Sequence, residues 1–288
     1  MSGNGAFLPV LPAMLVARGV SDALAEDLGL SGDITTNATI AAGTKARAVL
    51  AARRAGVVSG LDVAEAAFRA LDADVQFRRH AGDGNAIEPG ALATISGNAR
   101  ALLTAERVAL NYMGRMSGIA TLTRKYVDAI AGTRARIVDT RKTTPGMRAF
   151  EKYAVRCGGG ANHRVGLYDA VLIKDNHIVA AGGIGAAVEA ARAHAGHMVK
   201  IEVEVDTLEQ LEETLRHSVD AVLLDNMSPA QLAKAVRKVK GRALTEASGG
   251  VNLETVRAIA ETGVDLISVG ALTHSAPVLD LGLDFEPA

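Results

Sequence analysis

Six short apolar runs follow one another in the second half of the chain: IVDT (137–140), AVLIK (170–174), VKIEVEV (199–205), AVLLD (221–225), ALTEAS (243–248) and DLISVG (265–270). The last four begin 22 residues apart, a length that suits one β-strand followed by one helix. Such alternation is typical of a parallel sheet or barrel. Six units fall short of the eight of a closed barrel. The sequence therefore predicts an α/β fold with an incomplete, open β/α barrel of about six strands, with an open doubly wound sheet as the alternative.

The first half of the chain has a different pattern. It predicts a helix over 12–28, short strands near 47–53, 75–79 and 92–95, and a helix near 63–71, which together suggest a small α+β layer. A long helical pattern follows from residue 99 to 131, with an expected break at Ser117-Gly118. We place the domain junction at this break. The predicted domains are 1–117, with 276–288 packing back on it, and 118–275.

Composition and charge exclude several classes of protein. The 288 residues are 49% hydrophobic and 22% charged, which argues against disorder, and the net charge of −1 gives no basic field for nucleic acid. No apolar window reaches the roughly 18 residues of a membrane helix. Cys157 is the single cysteine, so a disulfide scaffold is excluded and a cytoplasmic location is expected.

Polar residues cluster where each of the six runs ends, which is where the active sites of β/α barrels are built. They are Asp139, Thr140, Arg141 and Lys142; Lys174, Asp175 and Asn176; Glu202, Glu204 and Asp206; Asp225 and Asn226; Glu246, Ser248, Gly249 and Gly250; and Gly270, Ala271 and His274. Any one of them could be polar because it meets solvent. All six runs together predict a site at this end of the sheet.

Local charge and glycine content suggest what such a site binds. Residues 134–174 hold nine lysines or arginines against three acids, and residues 175–226 hold ten acids against three bases. This contrast suits a site that binds a polyanion on one side and a metal or a developing cation on the other, although solvated helix faces would also produce it. Gly249, Gly250 and Gly270 favour phosphate binding by backbone N–H groups, and a role in turns is the alternative.

The longest signature runs from residue 139 to 177: DTRKTTPGMRAFEKYAVRCGGGANHRVGLYDAVLIKDNH. It closely resembles the signature block of the quinolinate phosphoribosyltransferases, the decarboxylating nicotinate-nucleotide pyrophosphorylases. DLGLSGDITT (27–36), AERVALNYMGRMSGIAT (105–121), KIEVEVD, LLDNM, EASGG and SVGALTH also resemble blocks of that family, in the same order. The resemblance covers nearly the whole chain.

The resemblance implies a fold and a reaction. The fold is an N-terminal α/β sandwich domain followed by an incomplete β/α barrel. The reaction transfers the phosphoribosyl group of phosphoribosyl pyrophosphate (PRPP) to quinolinate, giving nicotinate mononucleotide, pyrophosphate and CO₂, a step of de novo NAD synthesis. Mg²⁺ is the implied cofactor. The implied assembly is a homodimer or larger oligomer in which Arg107 reaches the partner's site.

The resemblance also implies roles for single residues. Quinolinate would be bound by Arg107, Thr140, Arg141, His163, Arg164 and Lys174. PRPP would be bound by Lys142, Glu204, Asp225, Asn226, Ser248, Gly249, Gly250, Ser268, Gly270, Ala271 and His274. The catalytic residues would be Glu204, Asp225 and Lys174, and the metal would be held by Glu204 and Asp225, largely through PRPP and water.

Three alternatives stay open at this point. One is a paralogue of the same fold that is found with molybdenum-transport systems, against which the set of cations argues. Another is a phosphate or nucleotide binder without catalysis. The third is a β/α-barrel lyase or isomerase acting on phosphorylated sugars, which would need no PRPP.

Overall fold

The structure is a computed structural model that describes residues 8–286, and the contacts within it divide the chain into two compact units. The first unit comprises the chain up to Arg124, residues Ala149–Gly159 and the chain from Ala276 onward. The second comprises Lys125–Arg148 and Gly160–Ser275.

This division runs further along the chain than the predicted junction at 117/118, and it places 149–159 in the first unit. Residues 1–7 and 287–288 of the predicted first domain lie outside the described residues.

In chain order the helices are α1 (Ala13–Leu28), α2 (Ile34–Thr39), α3 (Leu61–Leu71), α4 (Ala99–Ala129), α5 (Arg148–Cys157), α6 (Asp175–Ala181), α7 (Ile184–His194), α8 (Leu208–Thr214), α9 (Pro229–Val239), α10 (Val256–Ala260) and α11 (Ala271–His274). The strands are β1 (Lys45–Ala52), β2 (Gly56–Val57), β3 (Gln76–Arg79), β4 (Ala86–Ile87), β5 (Gly90–Asn98), β6 (Arg136–Val138), β7 (Val171–Ile173), β8 (Ile201–Val205), β9 (Ala221–Asp225), β10 (Leu244–Ser248), β11 (Leu266–Ser268) and β12 (Leu281–Phe285). Within residues 8–286, no helix has both the length and the apolar character that crossing a bilayer requires.

The first unit contains an antiparallel sheet with the strand order β12-β1-β5-β3. Strand β1 lies between β12 and β5, with Leu50 opposite Leu283 on one side and Ala93 on the other. Ala48 and Leu50 point to the same face because side chains alternate along a strand, and both are fully buried. The end of the chain thus contributes an edge strand to this sheet.

The predicted helix break at Ser117-Gly118 is wrong, since α4 runs without interruption through both residues. The Ser117 hydroxyl accepts a hydrogen bond from the Ser59 N–H at 3.0 Å and donates one to the Ser59 carbonyl at 3.1 Å. A Cβ on Gly118 would lie only 2.0 Å from the carbonyl oxygen of Pro277. Both residues therefore serve close packing of the helix rather than its termination.

The second unit contains a six-stranded parallel sheet with the order β6-β11-β10-β9-β8-β7. Five of its strands fall within predicted runs, and β6 begins one residue before the run at 137–140. Strands β6 and β7, which are consecutive in the sequence, form its two opposite edges. The predicted α/β architecture with an open β/α barrel is therefore confirmed.

Capping residues start two of the helices directly after their strands. Thr207 and Ser228 accept hydrogen bonds from the backbone N–H groups of Gln210 and Gln231, and both form capping boxes. Pro229 occupies the first turn of α9, where its missing N–H costs nothing. Helices α8 and α9 therefore begin within four residues of the carboxyl ends of β8 and β9.

Candidate active site

Pairs of residues two positions apart bring side chains to one face of the parallel sheet. The pairs lie on four adjacent strands; the second residue of three pairs lies at or just after the carboxyl end, and Glu204 lies one residue before it. The pairs are Leu172 and Lys174, Glu202 and Glu204, Leu223 and Asp225, and Glu246 and Ser248. Because side chains alternate along a strand, both members of each pair face the same side.

A cavity of about 430 Å³ opens at this end of the sheet. It is lined by Thr140, Arg141, Lys142, His163, Arg164, Leu172, Lys174, Glu204, Leu223, Asp225, Glu246, Ser248 and Ser268. We call it the cation cavity, because five of these residues are arginine, lysine or histidine.

A second cavity of about 400 Å³ adjoins the first and shares five of its lining residues. It is lined by Thr140, Lys142, Asp225, Asn226, Ser248, Gly249, Gly250, Val251, Ser268, Gly270, Ala271 and His274. We call it the glycine cavity.

The structure brings almost all of the predicted site residues together. The predicted quinolinate residues Thr140, Arg141, His163, Arg164 and Lys174 line the cation cavity. The predicted PRPP residues line the glycine cavity, except Glu204, which lines the cation cavity. Arg107 is exposed on α4 in the first unit, and the described linings of the two cavities do not include it. The assigned roles stay predictions.

Two guanidinium groups in the cation cavity have donors available to bind an anion. Among the described residues, Arg141 Nε and Arg164 Nε are buried without a hydrogen-bond partner. Burial and the positive charge of Arg141 lower the pKa of Arg164. Buried donors that lack partners, next to a like charge, are costly to keep unless an anion satisfies them. A planar carboxylate matches the donor geometry of guanidinium.

The carboxylates of the two cavities are already engaged with neighbouring groups. Lys174 Nζ forms an ion pair with Glu204 Oε2. Asp225 Oδ2 accepts a hydrogen bond from Asn226 Nδ2 at 2.7 Å. Glu204 and Asp225 therefore lie next to donors at the end of the barrel, each only partly buried and accessible from a cavity.

Two acidic residues without a predicted role, Glu202 and Glu246, lie against His163; His163 and Glu246 line the cation cavity, and we call these three residues its floor. His163 Nε2 lies 2.9 Å from Glu202 Oε2 and 3.6 Å from Glu246 Oε2. Both glutamates belong to the strand-end residues, and the family resemblance implies no role for either of them. Their spacing from Glu204 and Ser248 on the same strands is the signal that identifies them.

Close backbone packing shapes the glycine cavity. Gly249 has φ +89°, and a Cβ there would lie 2.1 Å from Asn226 Oδ1. Asn226 itself has a left-handed φ of 53° and donates its backbone N–H to the Ser248 carbonyl. The Thr273 hydroxyl donates to the Lys142 carbonyl at 2.7 Å, which fixes the backbone of that lysine.

Comparison with protein families identifies two domains that follow one another in the sequence. Residues 33–117 match the quinolinate phosphoribosyl transferase N-terminal domain, and residues 119–284 match the C-terminal domain of the same family. Together these matches cover most of the chain.

Relatives and solved structures agree with these matches. The chain is 49% identical over 270 residues to the nicotinate-nucleotide pyrophosphorylase [carboxylating] of Mycobacterium leprae, covering 91% of this chain and 94% of that protein. It is 42% identical over 283 residues to the mitochondrial quinolinate phosphoribosyltransferase [decarboxylating] 2 of Nicotiana glauca, covering 92% and 80%. The crystal structure of NadC from Streptococcus pyogenes superposes with a TM-score of 0.92 at 41% identity, covering 97% of this chain and all of that one. The expectation raised by the sequence signature is confirmed, and the chain belongs to the quinolinate phosphoribosyltransferase family.

Proposed function

We propose that this protein transfers the phosphoribosyl group of PRPP to the pyridine nitrogen of quinolinate and releases pyrophosphate and CO₂. The product is nicotinate mononucleotide, the pyridine nucleotide from which NAD is made. The observation that carries this proposal is the pair of adjoining cavities: one has buried guanidinium donors without partners, and the other is lined by glycines.

A dicarboxylate suits the cation cavity. Arg141 and Arg164 supply planar donor groups, and Lys174 supplies a point charge. Thr140 and His163 add polar contacts, and Leu172 and Leu223 provide apolar surface for a pyridine ring. A ligand with one carboxylate would leave part of this cation set unpaired.

A phosphorylated sugar suits the glycine cavity. The backbone N–H groups around Gly249, Gly250 and Gly270 can approach a phosphate closely, and Lys142 supplies a charge. The remaining proposed contacts to PRPP are Asn226, Ser248, Ser268, Ala271 and His274. The two cavities share Lys142 and Asp225, so the two substrates would meet there.

The transfer step creates positive charge that the acidic residues can stabilise. When the bond from the anomeric carbon to pyrophosphate breaks, that carbon gains oxocarbenium character before the pyridine nitrogen bonds to it. Glu204 and Asp225 provide fixed negative charge for this state and acceptors for the ribose hydroxyls. Lys174, through its ion pair, orients Glu204.

Decarboxylation then needs no further cofactor. The bond between C2 and its carboxylate breaks, CO₂ leaves, and the electron pair stays at C2 next to the positively charged ring nitrogen. A proton then adds at C2. The cation cavity contributes by holding the ring and both carboxylates in place before these steps.

The donor set fits Mg²⁺. Among the described residues, Glu204 and Asp225 are not part of a cluster of three or more candidate metal ligands, so they do not form a closed protein cage. Mg²⁺ is commonly held by one or two carboxylates together with substrate phosphates and water. Bound there with PRPP, it would neutralise the charge of the leaving pyrophosphate. Chelation with EDTA is expected to abolish turnover, and added Mg²⁺ to restore it.

We also propose that the protein works as a homodimer or larger oligomer in which Arg107 completes the partner's site. The exposure of Arg107 on α4 supports this assignment. Equal amounts of Arg107→Ala and Arg141→Ala proteins are mixed and assayed at a quinolinate concentration too low for either variant alone to turn over appreciably. The mixture should recover about a quarter of the wild-type activity, because half of the dimers are mixed and each mixed dimer has one intact site. No recovery after confirmed subunit exchange would contradict the shared site.

The cellular location is proposed to be the cytoplasm. The single cysteine, Cys157, is buried, which suits a protein that does not depend on disulfides. Fractionation of the source cells tests the location, and enrichment in an organelle fraction would contradict it.

An assay of purified protein tests the proposed reaction. Protein is incubated with quinolinate, PRPP and Mg²⁺, and nicotinate mononucleotide and CO₂ are followed, with nicotinate replacing quinolinate in a parallel sample. Both products are expected from quinolinate, and no turnover is expected with nicotinate. If folded, metal-replete protein turned over neither compound, the proposal would be wrong.

A further inference from the structure

The floor of the cation cavity holds two buried carboxyl groups against one imidazole. His163 Nε2 is within hydrogen-bonding distance of Glu202 and lies 3.6 Å from Glu246. Glu202 is 9% exposed and Glu246 is 1% exposed. Among the described residues, Glu202 Oε1 and Glu246 Oε1 are buried without a hydrogen-bond partner. The cluster therefore has more acceptor capacity than the protein satisfies.

One imidazolium cannot compensate two buried negative charges at this site. Like charges at short range disfavour ionisation of both groups, and burial adds a penalty for each charge. Burial and the charge of Glu202 raise the pKa of Glu246 to about 8, and the opposing effects of His163 and of a hydrogen bond with Ser268 do not cancel them. The geometry and the charges agree that Glu246 is the member of the pair that keeps its proton at neutral pH.

We propose that Glu246 acts in quinolinate binding as an uncharged acid: it is a positioning residue that leaves His163 paired with Glu202 alone. This inference rests on the proposed function, because it concerns the recognition of a dianion. An uncharged floor matters there, since a second negative charge beneath the cavity would repel a ligand that carries two of its own.

The charges that face Glu246 come from several elements. Asp139 follows β6, His163 lies on the loop after α5, and Glu202 lies on β8. The other charged residues lining the same cavity are Arg141, Lys142, Arg164, Lys174, Glu204 and Asp225.

The sign of the pH effect follows from this arrangement. Quinolinate binds to the form of the protein in which Glu246 is protonated. Above the pKa of Glu246, about 8, that form is depleted, so the KM for quinolinate should rise with pH. A single ionisation limits this rise to about tenfold per pH unit. The kcat at saturating quinolinate should change less, because bound dianion keeps Glu246 protonated.

The test compares KM and kcat across pH 8 in wild type, Glu246→Gln and a matched control. Glutamine has nearly the same shape as the uncharged acid and cannot ionise, so Glu246→Gln should abolish the alkaline rise in KM. The control is Glu254→Gln, which removes an exposed acid outside both cavities and should keep the wild-type rise. Glu246→Asp restores an ionisable carboxyl and should restore an alkaline rise.

Two kinetic results and one spectroscopic result would overturn the inference. One is a wild-type KM for quinolinate that does not change across pH 8, and another is an alkaline rise that persists unchanged in Glu246→Gln. If that variant does not fold, infrared spectroscopy of the wild type decides. A carboxylic-acid carbonyl band at neutral pH that disappears on titration above pH 8 supports the inference, and its absence at neutral pH overturns it.

These results are distinguishable from failure of the proposed function. A protein that turns over quinolinate with a pH-independent KM would contradict only the role of Glu246. A protein that does not turn over quinolinate at any pH would contradict the proposed function, and the inference with it.

Discussion

The Asp139 carboxylate accepts a hydrogen bond from the backbone N–H of His163 at 2.9 Å. Its other oxygen accepts one from Asn162 Nδ2 at 2.7 Å, and the Asp139 side chain is fully buried. Asp139 is one of the strand-end residues that the sequence predicts for the active site. In the structure its carboxylate instead anchors the loop that carries His163 and Arg164. The position of two cavity residues depends on it.

Asp139→Ala should therefore damage the site through this loop. Loss of buried hydrogen bonds to a charged acceptor is expected to cost about 2 kcal/mol of unfolding free energy and to raise the KM for quinolinate. Urea unfolding and steady-state kinetics measure the two effects. Asp139→Asn, which keeps one acceptor oxygen, should be affected less. An unchanged KM in folded Asp139→Ala would show that the loop is held by other contacts.

Arg141→Ala removes one of the two buried guanidinium groups of the cation cavity. Charge-assisted contacts of this kind are worth enough to raise the KM for quinolinate by about 10- to 100-fold. The KM for PRPP should rise much less. Arg136→Ala serves as the control, because Arg136 is an exposed arginine on β6 outside both cavities. Kinetics identical to wild type would show that Arg141 does not contribute to quinolinate binding.

Glu204→Gln tests the role of negative charge in the transfer step. Because the charge matters most as the oxocarbenium character develops, kcat should fall by about a hundredfold while quinolinate affinity falls far less. Steady-state kinetics give both values, with Glu209→Gln on the exposed face of α8 as the control. An equal loss in ground-state binding would count against this role.

Gly249→Ala and Gly250→Ala separate close packing from backbone strain. Both glycines have positive φ, so alanine is strained by about 1 kcal/mol at either position. Only Gly249 also faces a clash, since its Cβ would lie 2.1 Å from Asn226 Oδ1 and 2.9 Å from Asn226 N. A larger increase in the KM for PRPP is expected for Gly249→Ala. Equal effects would mean that Asn226 moves aside without consequence.

Much of the second unit could be predicted from the sequence, because buried parallel strands are nearly continuous apolar runs. The run at 221–225 matches β9 residue for residue, and its polar end, Asp225, lies in the site. The break expected at Gly118 is wrong. The sequence alone does not distinguish a glycine that allows another backbone segment to pack closely from a glycine that ends a helix.

The floor of the cation cavity could not be predicted in the same way. Glu246 lies inside an apolar run and pairs with residues far away in the sequence, so its environment depends on the packing of three segments. Thr273 is a similar case, since its hydrogen bond to the Lys142 carbonyl joins residues 131 positions apart. Alternation along strands suggests which face such residues occupy, but not which groups they meet.

A crystal structure of the protein with bound quinolinate tests the central claim most directly. The account predicts quinolinate in the cation cavity, with its carboxylates on Arg141, Arg164 and Lys174 and its ring nitrogen towards the glycine cavity. Quinolinate bound elsewhere, or with its ring nitrogen turned away from the glycine cavity, would contradict the account.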